Sequence, residues 1–170
     1  MPIQQYPLQR HPLDSALGYF YLGLFNDAWD ELESLPVELR LTDPVLEMRL
    51  AVYHALHKWN PARILAESLA QRFPENPNWW IQWAYALRRE KSVTDARGVL
   101  WQAVQIHPAS PTIIYNLACY ACLLGEMEES KRLLKQAFAL EPDFKITALD
   151  DPDLNPIFGG VAREDQQNQL

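Results

Sequence analysis

Residues 76–108 read NPNWWIQWAYALRREKSVTDARGVLWQAVQIHP, and this stretch decides the fold. Asn76 before Pro77 opens a helix, because proline at the first helical position loses an N–H that would have no intrahelical partner anyway. Trp80, Trp83, Ala84 and Leu87 then fall three or four apart, as one face of a helix requires. Ser92-Val93-Thr94-Asp95 reads as a second helix start, a capping box with Asp in the reciprocal place. Ala96, Leu100 and Ala103 continue the apolar stripe from there, and Pro108 closes the stretch. Small residues on both stripes let two helices approach, with bulky ones filling the groove between them.

The same hairpin recurs outward from this stretch. Pro74, Pro108 and Pro142 stand 34 residues apart, a period that indicates stacked supersecondary units. Counting from those prolines gives units at 9–42, 43–76, 77–110 and 111–144, preceded by an N-terminal extension at 1–8. Asp43-Pro44 and Ser110-Pro111 open first helices as Asn76-Pro77 does. Asn60-Pro61 and the turn at Gly125 mark second-helix starts. Unit four places Ile114, Leu117, Ala118 and Ala121, then Ser130, Leu134 and Ala137, in the stripe positions. Unit two keeps Leu46, Leu50, Tyr53 and Ala62, but Arg49 stands where a large apolar side chain is expected. In unit one, Pro36 ends the second helix early, so that unit reads as a degenerate cap.

These stripes resemble the tetratricopeptide repeat (TPR), whose 34-residue unit carries a W-x2-L-G-x2-Y … A-x3-F … P pattern. Units three and four match best, and unit one keeps Tyr19, Gly23, Phe25, Ala28 and Leu32. The resemblance implies an all-α fold, a right-handed superhelical solenoid of about four helical hairpins. The stretch Asn116-Leu117-Ala118-Cys119-Tyr120, then Gly125, then Ala148-Leu149-Asp150-Asp151-Pro152-Asp153-Leu154-Asn155-Pro156-Ile157-Phe158 resembles the closing segment of many bacterial TPR proteins. A terminal hairpin needs such a cover for its apolar face, and Phe144, Ile146, Leu149, Leu154, Ile157 and Phe158 are the residues expected to supply it. The solenoid with its cap is expected over 9–158, and residues 159–170 are expected to be a flexible polar tail.

What the resemblance implies about function is a concave surface lined by first helices. The places that face it hold Met48 and His54 in unit two. In unit three they hold Gln82, Tyr85, Arg88 and Arg89, and in unit four Tyr115, Asn116 and Cys119. Tyr and Met offer adaptable apolar contact, Asn and Gln can bond an extended backbone, and the arginines can meet a carboxylate. These nine residues are the expected partner-binding set, unless a terminal segment of the chain itself fills the groove. The carboxylate clamp of chaperone-binding TPR domains is not expected, because Leu13, Leu17, Met48, Asn78 and Gln82 occupy its places and Asn116 alone matches.

Nothing in the sequence assembles a catalytic site. Cys119-Tyr120-Ala121-Cys122 has C-x-x-C spacing, but it lies inside a helix rather than at the N-terminus where the dipole activates a thiol. No second cysteine pair completes a zinc site, so packed thiols are expected. His54 and His57 lack an H-E-x-x-H context, and Asp150, Asp151 and Asp153 lack the glycine and final glutamate of a calcium loop. No metal and no cofactor are expected.

The 170-residue chain is long enough to bury a core without disulfides or metals. With 15 Lys and Arg against 22 Asp and Glu, its charge of −7 has the wrong sign for tracking nucleic acid. Apolar runs are too short to span a membrane, and the first residues lack the pattern of a secretion signal, so a cytoplasmic protein is expected. The expected function is a non-catalytic adaptor or scaffold that holds a peptide or helix of a partner protein. The alternative is a dedicated chaperone or assembly factor for a secreted or membrane-complex client. Trp29, Trp59 and Trp101 serve either the inter-repeat core or a dimer contact, which leaves homo-oligomerisation open.

Overall fold

A computed structural model describes residues 13–159. The expected extension at 1–8, the first residues of unit one at 9–12 and the tail beyond Gly159 lie outside the described residues. All regular structure among the described residues is helical. The chain divides into two compact units, one ending at Lys58 and the other beginning at Trp59.

The first unit holds α1 (Asp14–Tyr21), α2 (Phe25–Ser34) and α3 (Asp43–Ala55). α1 packs on α2 and α2 on α3 around Ala16, Ala28, Leu32, Val45 and Val52. α2 stops at Ser34, two residues before Pro36, as the proline demands. Arg49, the polar intruder of the sequence pattern, fills the place of an apolar residue by another route. Its guanidinium lies over the Trp29 ring at 5.1 Å and pairs with Glu33 at 2.5 Å, while Trp29 packs on Tyr53 at 4.9 Å. Two sequence-based starts are displaced: the helix expected from Asn60-Pro61 begins at Trp59, one residue before that pair, and α3 shows the same kind of shift. Asp43 is the first residue of α3, not its cap, and Thr42 precedes it with its hydroxyl donating back to the Leu39 carbonyl.

The second unit runs through α4 (Trp59–Arg72), α5 (Pro77–Glu90), α6 (Val93–Ile106), α7 (Pro111–Leu123) and α8 (Met127–Leu140). Each helix packs on the next in turn, α4 on α5, α5 on α6, α6 on α7 and α7 on α8. Fully buried alanines mark the crossings, among them Ala66, Ala84, Ala96, Ala103, Ala118 and Ala137. The caps read from the sequence form here. Asn76 accepts from Asn78 N, Ser92 from Asp95 N and Ser110 from Ile113 N. Ser130, in a stripe position, is fully buried and donates to the Ala118 carbonyl at 2.8 Å, which stitches α8 to α7 without leaving a polar atom unsatisfied. Pro74, the period marker, offers its carbonyl to the Trp80 indole N–H at 3.0 Å and to His107 Nε2 at 2.8 Å.

The period also fixes the turns. Positions 23, 57, 91 and 125 are 34 apart, and three of them adopt positive φ: Gly23 at 75°, His57 at 54° and Gly125 at 80°. His57 therefore lies beyond the end of α3 in a left-handed turn and does not continue the helical face that carries His54.

Two glycines of the second unit should respond oppositely to alanine. Gly98 sits in α6 with open space where a Cβ would stand, so Gly98→Ala is expected to raise stability by about 0.5–1 kcal/mol. Gly125→Ala is expected to lower it by about 1 kcal/mol, since the left-handed turn penalises a Cβ. Urea unfolding of both variants checks the opposite signs.

Candidate functional site

The site is built on α5 and α7, the first helices of the two best-matched repeats, together with the segment that follows α8. That segment forms α9 (Phe144–Asp150), a 3-10 turn at Pro152–Leu154 and α10 (Asn155–Phe158). The turn packs on α7. It is held by its own aspartates. Asp151 caps it by accepting from Asp153 N at 2.9 Å, and the other oxygen of Asp151 accepts from Tyr115 Oη at 2.8 Å and from Cys119 Sγ at 3.6 Å. Asp153 takes both guanidinium nitrogens of Arg88, one of them at 2.7 Å, and the same guanidinium lies over the Tyr120 ring at 5.5 Å. Leu154 and Ala148 are fully buried, and Phe144 lies against the Tyr115 ring at 4.8 Å.

The closing segment therefore sits on part of the surface that the sequence assigned to a partner. Arg88, Tyr115 and Cys119, three of the nine expected contact residues, are bonded to Asp151 and Asp153 of the same chain. Two of the three aspartates that lacked the signature of a calcium loop, Asp151 and Asp153, anchor the cap. Of the six residues expected to supply its apolar side, Leu154 and Phe144 do so, with Ile157 and Phe158 half-buried, whereas Ile146 and Leu149 point to solvent. Ala148 does the burying in α9, a residue of the closing segment that was not among those six because alanine carries little apolar signal.

The remaining expected contacts fall in three places. Gln82 and Tyr85 are half-buried on α5 and Arg89 is exposed beside them. The Arg89 guanidinium stands 5.4 Å from the Tyr85 ring centre and 5.9 Å from that of Trp59, and those two rings meet edge to face at 6.1 Å. Next to this cluster Glu90 accepts from Asn60 at 2.6 Å and from Arg63 at 2.5 Å, contacts that hold its carboxyl below the usual range. Asn116, half-buried on α7, donates to the Thr112 carbonyl of its own helix at 2.9 Å. Met48 and His54 belong to the first unit. Met48 is buried and lines a cleft of about 250 Å3 with Leu13, Leu17, Pro44, Glu47 and Ala51, and burial lowers the pKa of His54.

The thiols are packed. Cys119 and Cys122 are both buried on α7, and desolvation pushes both pKa values up, the reverse of what an attacking thiol requires. Among the described residues no group of three or more His, Cys, Asp or Glu could hold a metal ion, and no helix is long and apolar enough to cross a membrane.

A tetratricopeptide-repeat family model matches residues 77–118, which span α5, α6 and the start of α7. The fold aligns with a thermophilic TPR protein of Thermus thermophilus at a TM-score of 0.70 and 22% identity, over 91% of this chain and 83% of that one. It also aligns with MamA MSR-1 C2 at a TM-score of 0.60 and 20% identity, over 77% of this chain and 75% of that one. The repeat match over residues 77–118 and the helical architecture together show a tetratricopeptide-repeat fold. By sequence it is 25% identical, over 134 residues, to the lipopolysaccharide assembly protein B of Haemophilus influenzae, a match over 76% of this chain. The chain spans about a third of that relative's length, 34%.

Two measurements bear on the cap. The Arg88–Asp153 pair is mostly shielded from water, so an Arg88→Ala/Asp153→Asn double-mutant cycle is expected to give a coupling of about 1–3 kcal/mol in urea unfolding. Iodoacetamide at pH 8 should modify Cys119 and Cys122 at least about tenfold more slowly in the folded protein than in urea.

Proposed function

We propose that this protein is a non-catalytic interaction module that holds a peptide or helix of a partner protein against the first helices of its repeats. The tetratricopeptide-repeat fold supports an interaction module in general terms. The observation that carries the finer reading is the cluster on α5, where Arg89 stands between Tyr85 and Trp59 with Gln82 on the same helix. An arginine flanked by two rings offers charge and stacking together, and Gln82 adds donors and an acceptor for an extended backbone. The partner-binding role extends to Met48 and His54 at the first unit's cleft and to Asn116. In this reading Arg88, Tyr115 and Cys119 act through the cap they hold. The chain works in the cytoplasm, with its solenoid over 9–158, and needs no cofactor.

A second reading, an assembly factor for a secreted or membrane-complex client, draws its support from the distant relative named as a lipopolysaccharide assembly protein. It uses the same surface and differs in the client.

Affinity purification from the source cell tests the proposal. Wild type and a Tyr85→Ala/Arg89→Ala variant are compared by quantitative mass spectrometry, and the variant is expected to recover its partner at least about tenfold less well. Equal recovery would remove this surface from consideration, and the identity of the recovered protein separates adaptor from assembly factor.

A further inference from the structure

A second cleft lies against α8, away from the Tyr85–Arg89 cluster. It measures about 450 Å3 and has a floor of Leu134, Phe138, Ala139, Ile157 and Phe158. Lys131, Lys135 and Lys145 form its rim, three of the five lysines in a chain of net charge −7. Lys131 also meets Glu128 at 2.9 Å, while among the described residues Lys135 and Lys145 pair with no carboxylate. On α8 the side chains stand in two parallel rows, apolar at 134 and 138 and basic at 131 and 135, with Lys145 facing them from α9.

The cleft has a helical cause. Within this unit every second helix is covered by the helix that follows it, α4 by the 14 residues of α5 and α6 by the 13 residues of α7. α8 is 14 residues long, but α9, which packs on it, has only 7. At 1.5 Å per residue that is about 10 Å of cover for about 21 Å of helix. The uncovered half keeps the shape into which a helix would lie, and α10 supplies the far wall.

We propose that this cleft receives an acidic amphipathic helix from a partner protein, which takes the place of the missing half of a covering helix. A large apolar residue of that helix inserts between Phe138 and Phe158, and carboxylates on its flanks meet Lys135 and Lys145. The lysines steer and select the partner, since an acidic protein otherwise repels acidic segments. The surface is separate from the Tyr85–Arg89 cluster and uses different residues.

The probe is a fluorescein-labelled synthetic peptide of about three helical turns, with Leu and Phe four apart and Glu on both flanks. A control peptide carries Lys in place of each Glu. Fluorescence anisotropy with the whole chain is expected to show at least about tenfold tighter binding of the acidic peptide, weakening as salt rises. Ala139→Trp fills the cleft, and Lys131→Gln/Lys135→Gln/Lys145→Gln removes its charge. Each should weaken binding at least about tenfold, and the four positions are exposed, so circular dichroism should show an unchanged fold. Tyr85→Ala/Arg89→Ala should bind the acidic peptide as wild type does, which keeps this test independent of the preceding one. Equal binding of both peptides, or binding that neither set of substitutions changes, overturns the proposal. So does binding of phosphatidylglycerol vesicles at these lysines without peptide binding, or self-association of the wild type that Ala139→Trp abolishes.

Discussion

Close approach between neighbouring helices is the constraint on which the second unit rests. Ala66, Ala84, Ala96, Ala103, Ala118 and Ala137 lie at the crossings with no surface left to water, and a larger side chain at any of them would push two helices apart. Bulk is supplied nearby, by Trp79, Leu100, Ile113, Ile114 and Leu117, all fully or almost fully buried. Because each helix depends on the one before and the one after, the array has an end, and an end leaves apolar surface unless something covers it.

The chain answers that need with a short segment fixed more by charge and hydrogen bonds than by area. α9 and the 3-10 turn bury little beyond Ala148, Leu154 and part of Phe144, and the register of the turn is set by Asp151 on Tyr115 and by Asp153 on Arg88. A bidentate guanidinium–carboxylate contact specifies direction as well as proximity, which an apolar patch of this size does not. The consequence is an asymmetry between the two faces of the last hairpin. On the α7 side the cap is tied down, whereas on the α8 side its shortness leaves a lysine-rimmed cleft. How much apolar surface stays open at the end of the array follows from how much of each helix its neighbour reaches.

Much of this is legible in the sequence. The 34-residue proline period, the caps at Asn76, Ser92 and Ser110, the stop at Pro36 and the packed cysteines are local or periodic features, and local features survive into the fold because they depend on residues a few positions apart. The misses share a cause. Trp79 is the largest fully buried side chain, yet the sequence stripe runs through Trp80 and Trp83, because three tryptophans within five residues leave the register of a helix undetermined. Arg49 breaks the sequence pattern but is shielded by Trp29 and Glu33, partners that lie on another helix. His57 stands three residues from His54, yet the helical face they would share ends before it reaches that position.

The sequence by itself determined that the chain is all-helical, where most helices begin and end, and that the units repeat, since periodicity and capping are written along the chain. Only the tertiary structure decided which of the expected contact residues face outward. Arg88, Tyr115 and Cys119 meet Asp153 and Asp151 from 32 to 65 residues away, and a side chain's availability depends on what long-range folding brings to its tip. The cleft over α8 belongs to the same category, because it exists through the mismatch in length between two helices once they are packed together.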